Sequence, residues 1–297
     1  MISMSRLKTR VISLFTLAIA AAFLIISCSG GSSTGGSTLE KVQESGVVKI
    51  GYANEAPYGY QDTATGEITG EAPEIAKAVL AEMGINEIEG VLTEFGSLIP
   101  GLQAGRFDMI AAGMYINPDR CEQILFSDPS YGIGEGMIVQ SGNPKGVTSY
   151  DDIANNPDIT LGVVAGTVEQ GYAEATGIPA DQVEILPDAP SAVEAVKAGR
   201  VDAYAGTSLT VQDLVDKDQS GDVERAEPFS DPVIDGEEIK GYGAFGFRKE
   251  DEEFRNAFNE QLNAFIGTQD HLDLVRPFGF TESELPEGKT AEELCQA

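Results

Sequence analysis

The sequence predicts an α/β fold made of two similar lobes that are joined by a two-strand hinge. One observation is an internal repeat: residues 97–108 and residues 191–202 each combine a helical pattern, the motif Ala-Gly-Arg-x-Asp and the start of a buried strand. Gly105 and Gly199 of this motif suit the left-handed residue that ends a helix. The other observation is the alternation of strands and helices, which is typical of a mainly parallel sheet covered by helices. One copy is an ordinary helix-to-strand corner, but two copies indicate two lobes and a cleft, where small ligands usually bind.

The first lobe opens with alternating strand and helix patterns. Apolar residues recur at helical spacing between Glu71 and Met83, which predicts a helix there. The predicted elements are a strand at 47–52, a loop at 53–70, a helix at 71–83, a strand at 91–95, the first repeat with a strand ending at 112, and a helix beginning near 118.

The second lobe follows the same order. Its predicted elements are a strand at 160–164, a tight loop at 165–167, a helix that reaches about residue 176, a strand at 183–186 and the second repeat. A last helix in the chain carries apolar residues at i, i+3 and i+4 spacing, which predicts that this face packs in the core: Phe254, Ala257, Phe258, Leu262 and Phe265.

Two glycine-rich strands, at 131–140 and 241–247, are interpreted as the connections between the lobes. The first is broken by Ser141-Gly142-Asn143-Pro144, where we place the first crossing. Lobe 1 then comprises residues 39–140 plus 241–297, and lobe 2 comprises residues 141–240. Two such connections form a hinge on which the lobes close around a ligand.

The N-terminal segment, residues 1–27, has the pattern of a secretory signal peptide, with three basic residues before an uncharged apolar run. The run ends in Ile-Ile-Ser-Cys28, which resembles a bacterial lipoprotein box and implies cleavage before Cys28 and a lipid on that cysteine. An uncleaved anchor is the alternative, because the apolar run is close to the minimum length of a membrane span. Residues 28–38 are predicted to be a flexible, lipid-anchored Gly/Ser linker, which would be the chain's only contact with the membrane.

The chain is strongly acidic, with a net charge of −29 over 297 residues. Without residues 1–27, which hold three basic side chains and no acidic one, 16 basic side chains remain against 48 acidic ones, a net charge of −32. Such a surface repels nucleic acid, so we exclude that class of partner. The acidic residues are scattered, which is typical of a solvated surface and would fit a salt-rich habitat.

Cysteine and histidine are too sparse to suggest a catalytic or metal site. With Cys28 lipidated, Cys121 and Cys295 remain, and their spacing leaves open whether they form a disulfide or stay as thiols. His271 is the single histidine and is interpreted as an ordinary helix residue. No Ser-His-Asp or Cys-His arrangement can be assembled around it. We therefore expect no enzyme activity, no metal and no cofactor.

Loops that follow strands hold the candidate binding residues, because the carboxyl ends of strands form the ligand edge of an open α/β sheet. Glu55 is a candidate acceptor for N–H donors, and Tyr58 and Phe95 are candidate aromatic walls. The alternatives are a solvated glutamate, a half-buried tyrosine and a phenylalanine of the core.

The segment Gly113–Arg120 is the most specific stretch of the sequence. Tyr115 and Arg120 lie in or next to a loop between a strand end and a helix start. An arginine there binds a carboxylate through two parallel hydrogen bonds, a geometry that lysine lacks, although a surface salt bridge is the alternative. Gly166 and Thr167 stand at a helix start, whose N–H groups favour anions. Arg120 and this helix start are predicted to hold one carboxylate from both lobes.

Residues 113–130, with Arg120 and Phe126-Ser127-Asp128-Pro129-Ser130-Tyr131, resemble the signature of extracellular solute-binding proteins of polar amino-acid ABC importers. The resemblance covers roughly residues 40–280. It implies the type II periplasmic-binding-protein fold, with two Rossmann-like lobes that close on a ligand. It also implies an ABC permease as partner and a location outside the cytoplasm, on the outer face of the cell membrane or in the periplasm. We expect a monomer.

Within that family, four segments are similar to the ectoine- and hydroxyectoine-binding members: 54–60, 70–74, 95–102 and 114–121. Ectoine is a compact zwitterion whose positive charge is spread over a cyclic amidine, and aromatic faces attract such cations. The resemblance implies that Glu55 accepts from the ring N–H groups and that Arg120 pairs with the carboxylate, helped by Gly166 and Thr167. It also implies an aromatic box around the ring, formed by Tyr58, Phe95 and Tyr115.

Three alternatives remain open. A polar amino acid would need a carboxylate for its ammonium group, and members of this family usually supply an aspartate after the second repeat. The stretch 205–208 holds no acid here, although Glu55 could replace it. An enzyme of the prephenate dehydratase type would use Glu55 as general acid. A sensor would have to act through a partner, because the sequence carries no signalling domain.

Overall fold

The structure is a computed structural model that describes residues 36–296, so the predicted signal peptide and Cys28 lie outside the described residues. Within that range the chain forms fifteen strands: β1 (Val47–Tyr52), β2 (Tyr60–Gln61), β3 (Ile68–Thr69), β4 (Glu87–Leu92), β5 (Met109–Tyr115), β6 (Leu125–Phe126), β7 (Tyr131–Ile133), β8 (Glu135–Gln140), β9 (Leu161–Val164), β10 (Val183–Leu186), β11 (Ala203–Thr207), β12 (Val223–Arg225), β13 (Val233–Ile234), β14 (Glu237–Glu238) and β15 (Gly241–Phe247).

The same range contains eleven α-helices: α1 (Thr38–Ser45), α2 (Glu71–Glu82), α3 (Leu98–Gln103), α4 (Pro118–Gln123), α5 (Tyr150–Ala154), α6 (Glu169–Ala175), α7 (Ala189–Lys197), α8 (Ser208–Lys217), α9 (Glu252–Phe265), α10 (Gln269–Val275) and α11 (Ala291–Leu294). Short 3₁₀ helices lie at Phe95–Ser97, Ala180–Gln182, Arg276–Phe278 and Glu282–Glu284. None of the described helices is long and apolar enough to cross a membrane.

The first sheet has the strand order β4-β1-β5-β15-β6, and β7 also pairs with β15. Strands β1, β4 and β5 are parallel, whereas β15 runs antiparallel to β5. Helices cover both faces, as a mainly parallel sheet requires. Apolar residues of α2 and α9 form the core on one face, and those of α3 form the core on the other.

The second sheet has the order β10-β9-β11-β8-β12, with β9, β10 and β11 parallel and β8 antiparallel to β11. Helices α5 and α6 pack on one face and α7 on the other. The two sheets confirm the predicted α/β class.

The two sequence repeats adopt the same local structure. The N–H of Asp108 donates to the carbonyl of Lys49 at 2.8 Å, and its carboxylate accepts from the N–H of Lys49 at 3.0 Å. Asp202 repeats both contacts with Thr160, at 2.8 and 2.9 Å. The glycines that end the repeat helices have positive φ values of 68° and 64°. The shared motif therefore joins the start of β5 to β1, and the start of β11 to the start of β9, through the same pair of hydrogen bonds.

The first crossing lies earlier than predicted. Residues 131–140 are two strands, because β7 pairs with β15 in the first sheet and β8 pairs with β11 in the second. The chain changes sheets at Gly134, so the placement of the crossing at 141–144 was wrong, and residues 135–140 belong with the second sheet. The chain returns to the first sheet after residues 226–240, which include the hairpin β13–β14.

Three other boundaries differ from the sequence prediction. The strand predicted at 91–95 runs from 87 to 92, and Phe95 begins a 3₁₀ turn. Strand β5 continues past Ala112 to Tyr115, which is therefore a strand residue. Thr38, assigned to the linker, is the first residue of α1, because the side chain of Ser37 caps that helix.

The closing helix and the single histidine are as predicted. In α9, Phe254, Phe258 and Leu262 are buried against the first sheet. His271 is a buried residue of α10, and its ring nitrogen Nδ1 accepts from the N–H of Gly267 at 3.2 Å. Burial lowers the pKa of His271 to about 4, which fits a neutral structural imidazole.

Cys121 and Cys295 form a disulfide, which answers the question that their spacing left open. Their Cα atoms are 5.7 Å apart, within the usual range for such a bond. Cys121 lies in α4, next to Arg120, and Cys295 directly follows α11. The bond therefore fixes the C-terminal helix against the helix that carries the candidate carboxylate ligand.

Candidate functional site

A cavity of about 30 Å³ lies where the carboxyl ends of the strands of both sheets face each other. Six of the seven predicted binding residues line it: Glu55, Tyr58, Phe95, Tyr115, Arg120 and Thr167. The other lining residues are Ala112, Gly113, Val168, Glu169 and Thr207. Gly166 does not line this cavity but lies beside it, on a wider groove between Tyr115 and the hairpin β13–β14.

Glu55 enters the cavity from a tight turn after β1. Its N–H donates to the carbonyl of Gly59 at 2.9 Å, which closes the turn. Its Oε1 accepts from the hydroxyl of Thr210 at 2.9 Å, and Thr210 in turn accepts from the hydroxyl of Thr207 at 3.0 Å. Because Glu55 follows a strand of the first sheet and Thr210 lies in α8, this hydrogen bond crosses the cleft.

The environment of Glu55 weakens its acidity. Burial raises the pKa of the Glu55 carboxyl to about 7, although the hydrogen bond from Thr210 opposes the shift and the charge of Glu169 adds to it. Glu55 therefore changes charge near neutral pH and can act as a hydrogen-bond acceptor whose strength depends on pH.

The aromatic side chains of the cavity are held by a second layer of rings. Tyr131 contacts Tyr58 at a centroid distance of 5.1 Å and Tyr115 at 6.2 Å, and its hydroxyl donates to the carbonyl of Gly113 at 2.8 Å. Phe280 packs edge-on against both Tyr58 and Tyr131. The two tyrosine rings of the predicted box are thus held in place, since each has little freedom to rotate in this cluster.

Gly113 makes room for Tyr58. It lies within β5 with a φ of 66°, and a Cβ atom there would lie 2.5 Å from Cδ1 of Tyr58. Such a distance is far shorter than a van der Waals contact, so a larger residue would displace the tyrosine ring from the cavity wall.

Arg120 lies in the first turn of α4, where the side chain of Asn117 caps the helix and accepts from the N–H of Arg120 at 2.9 Å. Its guanidinium is 5.5 Å from the centroid of the Phe95 ring, a cation–π contact. Nη1 donates to the carbonyl of Tyr115 at 2.7 Å, and Nη2 donates to the carbonyl of Gly166 at 2.9 Å. Burial lowers the pKa of Arg120, but from so high a value that it stays charged.

Gly166 and Thr167 meet the cavity in different ways. Gly166 contributes a carbonyl that accepts from Arg120, which was not predicted from the sequence. Thr167 lines the cavity, and its hydroxyl donates to the carbonyl of Val164 at 2.9 Å. The two contacts across the cleft, Arg120 to Gly166 and Thr210 to Glu55, show that the sheets are close together here.

Sequence reasoning missed Glu169, the first residue of α6, and Glu135, the first residue of β8. Both are buried, at 3% exposure, and the charge of Glu169 raises the pKa of Glu135. Glu169 follows Gly166 and Thr167 by only a few residues, so its position in a helix start was a usable signal. No such signal marked Glu135, because it lay inside a strand that the sequence analysis assigned to lobe 1.

Residues 48–278 match the model of bacterial extracellular solute-binding proteins, family 3. The chain belongs to that family. A probable amino-acid ABC transporter periplasmic-binding protein of Sinorhizobium fredii is 43% identical over 269 residues, which cover 88% of this chain and 87% of the relative. This chain is thus a solute-binding protein of an amino-acid-type ABC importer, and its family consists of extracytoplasmic binding proteins and not of enzymes.

Two solved structures extend the comparison. EhuB in complex with hydroxyectoine superposes with a TM-score of 0.78 at 34% identity, over 87% of this chain and 97% of that one. AncCDT-1, an ancestral amino acid-binding protein and precursor of cyclohexadienyl dehydratase, superposes with a TM-score of 0.70 at 26% identity, over 82% and 99%. The predicted type II periplasmic-binding-protein fold is confirmed.

Proposed function

We propose that this protein captures ectoine or hydroxyectoine in the cleft and delivers it to the permease of an ABC importer. The observation that carries the proposal is the convergence of Glu55, Arg120 and three aromatic side chains on one cavity. In the proposed complex the ligand's cationic ring lies among Tyr58, Phe95 and Tyr115, because desolvated aromatic faces attract delocalised cations by about 0.5–2 kcal/mol each.

Arg120 is proposed to hold the ligand's carboxylate. A guanidinium has five N–H groups, and the contacts with Tyr115 and Gly166 use two of them within the described residues. The others can form a bidentate pair with a carboxylate while the cross-cleft contact is kept. Glu55 is proposed to accept from the ring N–H groups on the opposite part of the ligand.

The residue at the end of β11 supports an ectoine over an α-amino acid. Thr207 lines the cavity at the position after the second repeat, and it is neutral. A free ammonium group there would meet a neutral hydroxyl in place of a carboxylate. The similarity to EhuB, whose structure contains hydroxyectoine, points in the same direction.

A polar amino acid is the second candidate, and the position of Glu55 favours it. Through Thr210 and Thr207 the Glu55 carboxylate is connected to the end of β11, so it could receive an ammonium group in place of the missing aspartate. The Sinorhizobium fredii relative is also named as a probable amino-acid transporter component.

Calorimetric titration with ectoine, hydroxyectoine, glutamine, glutamate and arginine tests the proposal. Saturable binding of an ectoine alone would support it. Binding of an amino acid that competes with ectoine would keep the transport role and replace the ligand. Absence of binding to either ectoine at millimolar concentration would reject the proposed ligand.

The lipid anchor and the hinge are part of the same proposal. We propose that Cys28 is lipidated after cleavage of residues 1–27, which mass spectrometry of the membrane fraction and release by Cys28→Ala would test. We also propose that the lobes open about the connections at Gly134 and residues 226–240. Small-angle scattering should then show a more compact particle with ligand than without it.

A further inference from the structure

The wall of the cavity formed by the second sheet carries a pair of buried carboxyl groups, Glu135 and Glu169. Glu169 lines the cavity. Glu135 is opposite Thr207 in the antiparallel pairing of β8 and β11, and residues at opposed positions project from the same face of a sheet. Since Thr207 also lines the cavity, both carboxyl groups lie on the cavity side of the second sheet. Glu55 approaches the same cavity from the first sheet.

The two buried carboxyl groups raise different expectations for their charge. Burial raises the pKa of Glu135 well above its ordinary range, and the charge of Glu169 raises it further. Burial also raises the pKa of Glu169, but the charge of Arg120 opposes that shift. The protonated form is therefore favoured more strongly at Glu135 than at Glu169, since two neighbouring buried carboxyl groups do not readily ionise together.

The surroundings of the pair offer few groups that would stabilise a negative charge on it. Asp231 accepts from the N–H of Glu135. Among the described residues, neither carboxyl oxygen of Glu135 has a hydrogen-bond partner, and the buried Oε2 of Glu169 has none either. A buried carboxylate oxygen without a donor is costly, so the Oε2 of Glu169 is available to a ligand. The titratable and charged groups that interact with the pair come from both sheets and their loops: Glu55, Tyr58, Tyr115, Arg120, Tyr150, Tyr172, Tyr204 and Asp231.

We propose that Glu169, whose buried Oε2 has no partner among the described residues, is a second acceptor of the binding site and receives an N–H or O–H donor of the ligand on the side of the second sheet. This inference rests on the proposed function. It narrows the ligand to a zwitterion with a carboxylate for Arg120 and two separate donors, one for Glu55 and one for Glu169. Hydroxyectoine offers an amidinium and a hydroxyl, and a basic amino acid offers an ammonium and a second cationic group.

Titration of the purified protein with ectoine, hydroxyectoine and arginine tests the inference. Glu169→Gln should weaken every ligand that bonds to this oxygen by about tenfold or more, because a charged acceptor is lost. A loss confined to hydroxyectoine would identify the hydroxyl as the donor, and a loss for both ectoines would identify a ring N–H. A loss for arginine alone would identify a basic amino acid.

Glu135 is tested as a positioning residue by two substitutions. Glu135→Gln places a neutral N–H donor beside Glu169 and should bind within about threefold of wild type, whereas Glu135→Ala offers no donor there and should weaken binding. The matched control is Glu71→Gln, because Glu71 is as buried (1% exposed) but does not line the cavity. Melting curves of all four variants exclude loss of folding.

Failure of this inference can be distinguished from failure of the proposed function. If the protein binds a ligand and Glu169→Gln binds it as tightly as wild type, the inference is wrong and the proposed function stands. If neither ectoine binds to wild type, the proposed function is wrong; arginine then decides whether Glu169 still serves a basic amino acid, and failure of arginine as well rejects the inference too.

Discussion

Nη2 of Arg120 donates to the carbonyl oxygen of Gly166 at 2.9 Å, so a residue that follows a strand of the first sheet holds a loop of the second. The contact uses a charged donor in a buried place, which makes it stronger than a neutral hydrogen bond. Because the same guanidinium is the proposed carboxylate ligand, ligand capture and the contact between the two sheets would depend on one side chain.

Arg120→Ala should lower ligand affinity by about 10–100-fold, since it removes a charge-assisted bidentate pair. Calorimetry measures the change. Arg200→Ala is the control, because Arg200 is half exposed, pairs with Glu184 at the edge of the second sheet and is remote from the cavity. Equal affinity of Arg120→Ala and wild type would contradict the assignment.

Ligand affinity should rise with pH in the range from about 5 to 7. Glu55, with a pKa of about 7, is protonated and neutral below that value and becomes an anion above it, which favours a cationic ligand. The slope can reach about tenfold per pH unit. Glu55→Gln should bind more weakly at pH 8 and should flatten the profile. A profile that keeps its slope in Glu55→Gln would mean that another group, such as Glu169, titrates in this range.

Gly113→Ala should weaken ligand binding and also cost about 1–3 kcal/mol of stability, because the new Cβ atom overlaps the Tyr58 ring. Gly142→Ala is the matched control: its φ of 79° is similarly positive, but no atom lies within 4 Å of the position that its new methyl group would take. Chemical unfolding and calorimetry should show a stability loss in both variants and an affinity loss in Gly113→Ala alone. Normal affinity of Gly113→Ala would show that Tyr58 does not shape the site.

Local sequence patterns were sufficient for the repeats but not for the crossing between the sheets. The motif around Asp108 and Asp202 encodes a helix end, a turn and a strand start within a dozen residues, so its structure could be predicted. Gly132, Gly134 and Gly136 lie in one extended, apolar run, and nothing local shows that pairing changes at Gly134. Which sheet a strand joins depends on partners that are distant in sequence, here β15 and β11.

The candidate site, too, could be predicted only in part from local sequence patterns. Glu55 and Arg120 could be selected because each follows a strand end that is recognisable in the sequence. Tyr131 and Phe280, which brace Tyr58, come from a different strand and from the C-terminal segment, and their contact is purely tertiary. The Glu135–Glu169 pair could not be predicted, because any of 48 acidic residues could have been close to another.

Reduction of the Cys121–Cys295 bond should destabilise the protein. The two cysteines are 174 residues apart, and a cross-link over so long a loop restricts the unfolded chain and typically contributes about 2–4 kcal/mol. Denaturant unfolding with and without a reducing agent measures the difference. The double variant Cys121→Ser/Cys295→Ser should resemble the reduced protein and should not respond to the reducing agent. Identical curves for wild type in both conditions would contradict the prediction.

Glu71 should make the protein less stable as the pH rises from about 4.5 to 8. This residue begins α2, and burial raises the pKa of its carboxyl to about 8, since neither carboxyl oxygen has a hydrogen-bond partner among the described residues. Between the unfolded and folded pKa values the folded state binds more protons than the unfolded state, so the free energy of unfolding falls with rising pH. The stabilising contribution is therefore complete below pH 4.5 and is lost as the pH passes 8.

Glu71→Gln isolates this contribution, because glutamine cannot ionise. The loss of stability between pH 5 and pH 9 should be smaller in the variant than in wild type by a few kcal/mol, at about 1.4 kcal/mol for each unit of pKa shift. Urea unfolding at a series of pH values measures both proteins. Glu55→Gln, measured in parallel, should show a smaller effect, since its pKa of about 7 is closer to the ordinary value. Parallel pH profiles of wild type and Glu71→Gln would mean that Glu71 reaches solvent and ionises at its ordinary pKa.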